Sequence, residues 1–280
     1  MENIKEVITS SQNKYVSLAR GLANKKARES AEKFRFDGVK LLCEAVKRGV
    51  QLDFLLFSES EREGVLEKAE KLYGIKENDI NCRAMTVADH VFSRLSEEQA
   101  PEGVICVAEY MKNIHRGVSS SQHFIAENGE KILLLESVRD PQNVGAIVRV
   151  AAAFGVDRIV MSNDCADIYN SKTLRASMGA VFASRVDRAA DLPCVIRDIN
   201  DSGRRVFAAA LNREAEVLGK LEIADGDCVL IGNEGHGLSD EAIAACGKSV
   251  FIPMTDGVES LNAATAAAVL VWEFFGSCGK

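Results

Sequence analysis

Three short stretches in the second half of the chain place polar groups where chemistry could be done. The first is Asp140-Pro141-Gln142-Asn143-Val144-Gly145-Ala146-Ile147-Val148-Arg149, which follows the apolar run Lys131–Val138. Open α/β sheets bind ligands at the carboxyl ends of their strands, so Asn143 and Arg149 are candidates to face one. Their six-residue separation, nearly two helical turns, is read as aiming Arg149 roughly into the cleft beside the loop. Its neighbours Val148, Val150 and Ala151 are apolar, so the charge calls for a partner, either a ligand or a structural ion pair. The second stretch is Gly232-Asn233-Glu234-Gly235-His236-Gly237-Leu238-Ser239. Glycines between a strand and a helix let a ligand approach backbone amides closely. The order is G-x-x-G-x-G, neither the dinucleotide fingerprint nor a P-loop, and alone it reads equally as a plain helix entry. The third runs from Ile252-Pro253-Met254 to Ser260-Leu261-Asn262, at the mouth of an almost wholly apolar helix. Helix capping accounts for one of Ser260 and Asn262, not for both. The small residues of 263–268 allow another backbone to pack closely, in the core or across a subunit contact.

Strands alternating with helices must position these stretches, and that alternation implies a parallel sheet. The strands are expected at Lys131–Val138, Asp157–Met161, Arg205–Ala210, Asp227–Ile231 and Val250–Pro253. Asn143 is placed to cap the helix after the first strand, and Gly155 to end it. Helices are expected at 171–178, at 188–202, after Ser239 and over Leu261–Phe275. Upstream, 11–33 is rich in helix formers, 38–49 and 61–73 read as helices, and Thr86–Asp89 opens another. Leu52–Phe57 and Gly103–Ala108 read as buried strands. The division is a small α/β domain over 1–110, a linker over 111–130 with Gly117, Ser119–Ser121 and Gly129, and an α/β domain over 131–280.

The chain has 280 residues, net charge −7 and 47% hydrophobic residues, enough for two cores but not for a globally basic nucleic-acid binder. The charge is uneven. Residues 1–50 carry eleven Lys/Arg against six Asp/Glu, a net +5 that leaves −12 for the rest. That end is a candidate polyanion site or simply a solvated helical face. Eight scattered cysteines without C-x-x-C spacing suggest reduced thiols in a cytoplasmic protein rather than disulfides or zinc. No uncharged apolar run approaches the ~20 residues of a membrane span. No metal site is expected. His90, His115, His123 and His236 read as structural or solvated, and Trp272, Phe274 and Phe275 as core or dimer-interface residues.

In order and spacing, the three stretches resemble the signature motifs of the SpoU/TrmH family of SPOUT RNA 2′-O-ribose methyltransferases. Asn143-x-Gly145-x-x-x-Arg149 resembles the first, Ile231–Leu238 the second, and Ile252-Pro253-Met254 with Ser260-Leu261-Asn262 the third. Lys172-x-x-Arg175-Ala176-Ser177-x-Gly179-Ala180 is also similar. The N-terminal domain resembles the family's small substrate-binding domain more loosely. The resemblance implies an α/β SPOUT sheet with a deep trefoil knot, a homodimer whose site is completed across the interface, and S-adenosylmethionine as cofactor. It implies cofactor contacts at Gly232, Asn233, Ile252, Met254, Leu261 and Asn262. Asn143 and Glu234 would shape the site, with Asn262 beside them, and Arg149 with Ser260 would handle the ribose. RNA phosphates would meet Lys14, Arg28, Arg35, Lys172 and Arg175. The substrate implied is ribosomal RNA, with transfer RNA as the alternative. One departure is Ala264, where relatives often carry Ser.

Transfer of a methyl to a ribose oxygen discharges a sulfonium, so alignment and proton removal matter more than a metal. A guanidinium with a pKa of about 13 is a poor base near neutrality. Arg149 is therefore expected to stabilise the developing alkoxide electrostatically. Two other classes compete. A dinucleotide-dependent oxidoreductase lacks its glycine fingerprint here. A non-catalytic RNA-binding homologue is opposed by the polar residues of all three stretches and kept open by Ala264.

Overall fold

A computed structural model describes residues 7–97, 100–118, 123–212, 214–233, 235–255 and 260–276, with the side chains of 116–118 left out of the description. In chain order the first elements are α1 (Lys14–Gly21), α2 (Lys25–Ala31), β1 (Lys33–Asp37), α3 (Val39–Lys47), β2 (Leu52–Ser58) and α4 (Arg62–Tyr73). Then come β3 (Arg83–Val87), α5 (Asp89–Phe92), β4 (Val104–Glu109), β5 (Ile114–Val118), β6 (Ile132–Leu135), α6 (Pro141–Ala153) and β7 (Arg158–Ser162). The rest are α7 (Ser171–Ser177), β8 (Arg185–Ala189), α8 (Leu192–Asp201), β9 (Val206–Ala209), β10 (Glu216–Val217), β11 (Cys228–Ile231), α9 (Asp240–Cys246), β12 (Gly247–Phe251) and α10 (Ala263–Val271). Trp272–Gly276 close the last helix as a π turn.

These elements form two compact units, 1–112 with 169–182, and 113–168 with 183–280. In the first, a sheet runs β1-β4-β2-β3, with β4 antiparallel to both neighbours and β2 parallel to β3. Phe54, Leu56, Met85, Ile105 and Val107 of its strands pack on Val16, Ala19 and Leu22 of the α1 segment. The segment 169–182 belongs to this unit through aromatic contacts. Tyr169 stacks on Tyr110 at 4.2 Å between ring centroids and meets Phe34 at 4.7 Å.

The second unit is an eight-stranded parallel sheet among the described residues, in the order β10-β12-β9-β11-β6-β7-β8-β5. Ile132, Leu134, Val206, Ala208, Cys228 and Leu230 share one core with Ile196 and Ile199 of α8. Helices α6 and α10 pack against each other. Burial pushes the thiols of Cys43, Cys82 and Cys228 up to about 11 and that of Cys246 to about 12, so they pack as apolar groups. Among the described residues no helix is long and apolar enough to cross a membrane.

Several local expectations change. Residues 114–118, inside the expected linker, form β5 and pair with β8. β1 and β8 are strands where the sequence shows none, and β8 takes the first two residues of the helix expected over 188–202, because Arg35, Asp37 and Asp187 are buried and hide the apolar pattern. The cap of α6 is Asp140, whose carboxylate accepts from the Gln142 amide at 2.9 Å. Pro141 takes the first helical position and Asn143 lies one turn inside.

Beneath the amino ends of β6, β7 and β8 lies a buried ion network. Arg158 Nε meets Glu130 Oε1 at 2.8 Å and Asp187 Oδ2 at 3.5 Å, with its guanidinium 4.8 Å from the Phe124 ring centroid. Removing one member strands an opposite charge in the core. Glu130→Ala is expected to destabilise the chain by about 3 kcal/mol or more, read as a lower midpoint in urea unfolding. An unchanged midpoint would mean the network is solvated and energetically idle.

Candidate active site

Parallel β9, β11 and β12 are neighbours, so their carboxyl ends emerge together at one edge. The chain leaving each of them walls a single cavity of about 560 Å³. Ala209–Leu211 follow β9, Ile231–Asn233 and Gly237 follow β11, and Phe251, Ile252, Met254 and Thr255 follow β12. Ser260, Leu261 and the small face of α10 at Ala263 and Ala266 complete it. The volume falls in the range of about 300–1,000 Å³ typical of small-molecule sites.

The turn after β11 is shaped by one close approach. A Cβ on Gly232 would lie 2.6 Å from the Gly237 carbonyl oxygen and 2.9 Å from a Leu238 methyl. The two arms of this turn exchange Asn233 N–H to Gly237 O and Gly237 N–H to Asn233 O, both at 3.0 Å. The Asn233 side chain pins the turn from within. Its Oδ1 accepts from the amides of Gly235 at 2.8 Å and His236 at 3.2 Å, and its Nδ2 donates to Ser137 O at 2.8 Å.

Ser137, at the end of β6, holds a left-handed φ of 56°. That backbone is strained for a serine. It is held by the loop after β7, where Ser162 Oγ accepts from the Ser137 amide at 2.9 Å and Asp164 Oδ2 accepts from Ser137 Oγ at 2.6 Å. Burial pushes the Asp164 carboxyl up, but hydrogen bonds from Ser137, Ser162 and Arg139 outweigh it and hold the group down at about 2. The cluster therefore keeps its contribution above the ordinary carboxylate value of about 3.9 and loses it only as pH falls towards 2. Arg188 donates to the carbonyls of Asn163, Cys165 and Ala166, fixing the loop in turn. Glu136 accepts from the Ser239 amide and hydroxyl at 2.9 and 2.7 Å, fixing the entry of α9. None of Glu136, Ser137, Asp164 or Arg188 was singled out from the sequence, because their partners are remote along the chain. The signal closest to hand was the serine-rich, acidic edge of two predicted strands.

The polar residues expected in the site divide into groups. Gly232, Asn233, Ile252, Met254, Ser260 and Leu261 line the cavity. Asn262 caps α10, its Oδ1 accepting from the amides of Ala264 and Thr265, and its Nδ2 donates to Asn143 Oδ1 at 3.0 Å. This bond ties the first expected motif to the third beneath the pocket. Glu234 lies outside the described residues. Arg149 is exposed, away from the wall, with no hydrogen bond or ion pair among the described residues. Six residues rotate a helix by about 240°, so Arg149 does not share the buried face of Asn143, and in water its charge needs no partner. Ala264 is not among the lining residues, so its missing hydroxyl takes nothing from the wall. His236 is exposed in the turn.

The basic residues of the other unit are likewise divided. Lys14 and Lys172 are exposed and Arg175 half-buried. Arg28 and Arg35 are buried at 4% and 3% exposure, contrary to a simple surface role. Arg28 Nη1 donates to the carbonyls of Leu22 and Ala23, and Arg35 Nη1 to that of Ala19. These are the carbonyls that the end of α1 leaves without helical partners.

The family model described as the SpoU rRNA Methylase family matches residues 130–272, just over half of the chain and the whole of the cavity wall. The chain belongs to that family. A second model, the MRM3-like substrate binding domain, matches residues 13–106. Among relatives of this SpoU-family chain, the 23S rRNA (guanosine(2553)-2′-O)-methyltransferase RlmP of Bacillus subtilis is 28% identical over 270 residues, covering 96% of this chain and 99% of that one. The 23S rRNA (uridine(2479)-2′-O)-methyltransferase of Streptomyces viridochromogenes is 27% identical over 272 residues, covering 95% and 90%. A crystal structure of an AdoMet-bound rRNA methyltransferase from Sinorhizobium meliloti superposes with a TM-score of 0.79 at 26% identity, over 98% of this chain and 99% of that one.

The cavity fits such a cofactor by its size and its lining, and Gly232 is required there because the Gly237 carbonyl occupies the place a Cβ would take. Gly232→Ala is expected to weaken S-adenosylhomocysteine binding by more than tenfold in calorimetry. Affinity equal to the parent, with the turn intact, would remove the close approach as the basis of the site.

Proposed function

We propose that this chain methylates the 2′-hydroxyl of a ribose in RNA, ribosomal RNA above all, using S-adenosylmethionine. The observation that carries the reading is the single cavity at the carboxyl ends of β9, β11 and β12, floored by Gly232, inside the family match. The relatives with named substrates act on 23S rRNA, which supports the ribosomal choice. When bound, the cofactor supplies a methyl group on a positively charged sulfur. The protein's part is to hold and to align. Backbone groups at Gly232, Ile252 and Leu261 would hold the cofactor, Met254 and Asn233 would border it, and the bond from Asn262 to Asn143 ties the entry of α10 to α6. Ser260, on the wall, is assigned to contacting the ribose, and Glu234 to shaping the turn after β11. The trefoil knot implied by the resemblance belongs to this reading.

Arg149 is assigned to stabilising the ribose oxygen as it loses its proton. It stands outside the cavity of its own chain. We therefore infer a homodimer in which Arg149 serves the cavity of a second copy. On the α6–α10 pair, Val269 and Trp272 are 39% and 56% exposed, apolar surface that a second copy would cover. A ribosomal-RNA substrate also accords with the cytoplasmic placement expected from composition. Basic residues of the first unit, Lys14, Lys172 and Arg175 among them, are assigned to RNA phosphates.

The test is transfer of labelled methyl from S-adenosylmethionine to ribosomal or transfer RNA, with the product digested to 2′-O-methylnucleosides. Label is expected in ribosomal RNA. Arg149→Ala should lower kcat by about 10² to 10³ while S-adenosylhomocysteine affinity holds. Mixing Arg149→Ala with Gly232→Ala subunits should restore part of the activity, because one composite site is then whole. Label in bases rather than riboses, or none in any RNA, would overturn the assignment. No recovery on mixing, with exchange of subunits demonstrated, would overturn the shared site.

A further inference from the structure

The unit made of 1–112 and 169–182 contains a second cavity, of about 180 Å³. Its wall includes Arg28, Arg35, Glu97, Asn170, Ser171 and Lys172. Among the described lining residues three cations face one carboxylate. Glu97 is already engaged on both oxygens, with Arg35 Nη2 at 3.1 Å and Ser171 Oγ at 2.6 Å. The carbonyls of the α1 segment engage Nη1 of each arginine, and Glu97 engages Nη2 of Arg35, yet two buried guanidiniums and a lysine still converge on one open space. Arg35 is 3% exposed, and its Nε is buried without a hydrogen-bond partner. A buried donor of that kind costs free energy unless something accepts from it.

From this arrangement we propose that the cavity is a receptor for a single phosphate group of the RNA substrate, a proposal that rests on the RNA-methylation reading above. The volume is below that of a small-molecule site and suits one functional group. A guanidinium fork suits phosphate oxygens, and arginine is the usual choice for fixing them in one geometry. Arg28 and Arg35 form the preset floor, held rigid by the carbonyls of Ala19, Leu22 and Ala23. Lys172, exposed at the mouth, supplies the charge that draws the anion in. Asn170 is occupied with the amide of Lys172 at 2.9 Å and so orders the segment that carries it. A phosphate seated here would fix one point of the RNA by its backbone, without reading a base.

The experiment measures binding of a fluorescein-labelled single-stranded RNA to the full chain across a potassium chloride series, with S-adenosylhomocysteine affinity and thermal midpoint recorded for every variant. Lys172→Ala is expected to weaken RNA binding about tenfold and to reduce the slope of log K against log salt by about 0.7, the loss of one phosphate contact on a single strand. Arg35→Lys, which keeps the charge and loses the fork, should weaken binding while keeping most of the slope. If Arg35→Lys fails to fold, the exposed Lys172 still decides the matter. An unchanged affinity and slope in Lys172→Ala, with midpoint and S-adenosylhomocysteine affinity intact, overturns the receptor. Inorganic phosphate at matched ionic strength separates the sources. Competition with RNA that is lost in Lys172→Ala supports the proposal, whereas phosphate binding lost in Lys172→Ala with RNA binding unmoved reassigns the cavity to free phosphate. Failure of wild-type methyl transfer would instead strike the enzymatic reading and is recorded separately.

Discussion

The site depends on one contact between backbone segments, that of Gly232 against the carbonyl of Gly237. Only there does the chain leaving β11 fold back tightly enough to leave its amides and the edge of β12 facing a common space. A side chain at 232 would push the two arms apart, and the cavity walls on either side would separate with them. The rest of the carboxyl edge secures that turn. Asn233 ties it to Ser137, Asp164 ties Ser137 to the loop after β7, and Arg188 ties that loop to β8. Four parallel strands thus contribute to one bend through bonds of 2.6–3.0 Å. Ser137 keeps an unfavourable φ because its neighbours over-determine it.

The two ends of the sheet do opposite work. At the amino end, Arg158, Glu130 and Asp187 lie in a buried ion network, and Arg205 pairs with Asp227. Such pairs are sensitive to the loss of either partner and fix the registers of β6, β7, β8 and β9. Among the described residues, the carboxyl end is lined by apolar side chains, small residues, the Asn233 amide and the hydroxyls of Thr255 and Ser260, with no charged group. A cofactor with a positive sulfur is better received by neutral walls than by a fixed cation, and Arg149 stands outside the pocket of its own chain. Separating the charges that fold the unit from the groups that border the cavity lets each be arranged without compromising the other.

How much of this was legible depends on how far apart the partners are in sequence. The strands at 132–135, 158–162 and 228–231 announce themselves as apolar runs, and the cap at Ser239 as a local pattern. The glycine turn and the polar pair at 260 and 262 are ambiguous taken singly, and only their order and spacing along the chain mark them as candidate site elements. β8 could not be read that way, since Arg185, Asp187 and Arg188 look solvated until Arg158 and the loop carbonyls are brought beside them. β1 was hidden for the same reason, its Arg35 and Asp37 being buried against Ala19, Glu97 and Ser96. The same blindness applies to the arginines at 28 and 35, which in a string of basic residues look alike and in the fold are part of a helix end. At Arg149 the spacing misleads, because six residues carry a helix about 240° round and not nearly two whole turns.

That phase carries the mechanistic point. Had Arg149 shared the face of Asn143, it would lie buried beside Asn262, at the entry of α10 in the same chain. A guanidinium there would stand against a cofactor that is itself a cation, and the first encounter would be repulsive. Exposed on α6, which packs against the α10 that carries the uncovered Val269 and leads to Trp272, the same residue can be brought to a cavity by a second copy docking there. Electrostatic help is worth most where water is excluded and charge is just developing. In the homodimer proposed above, an arginine carried by the second copy would reach the developing charge only after that copy docks. Dimerisation would then belong to the chemistry of the reaction.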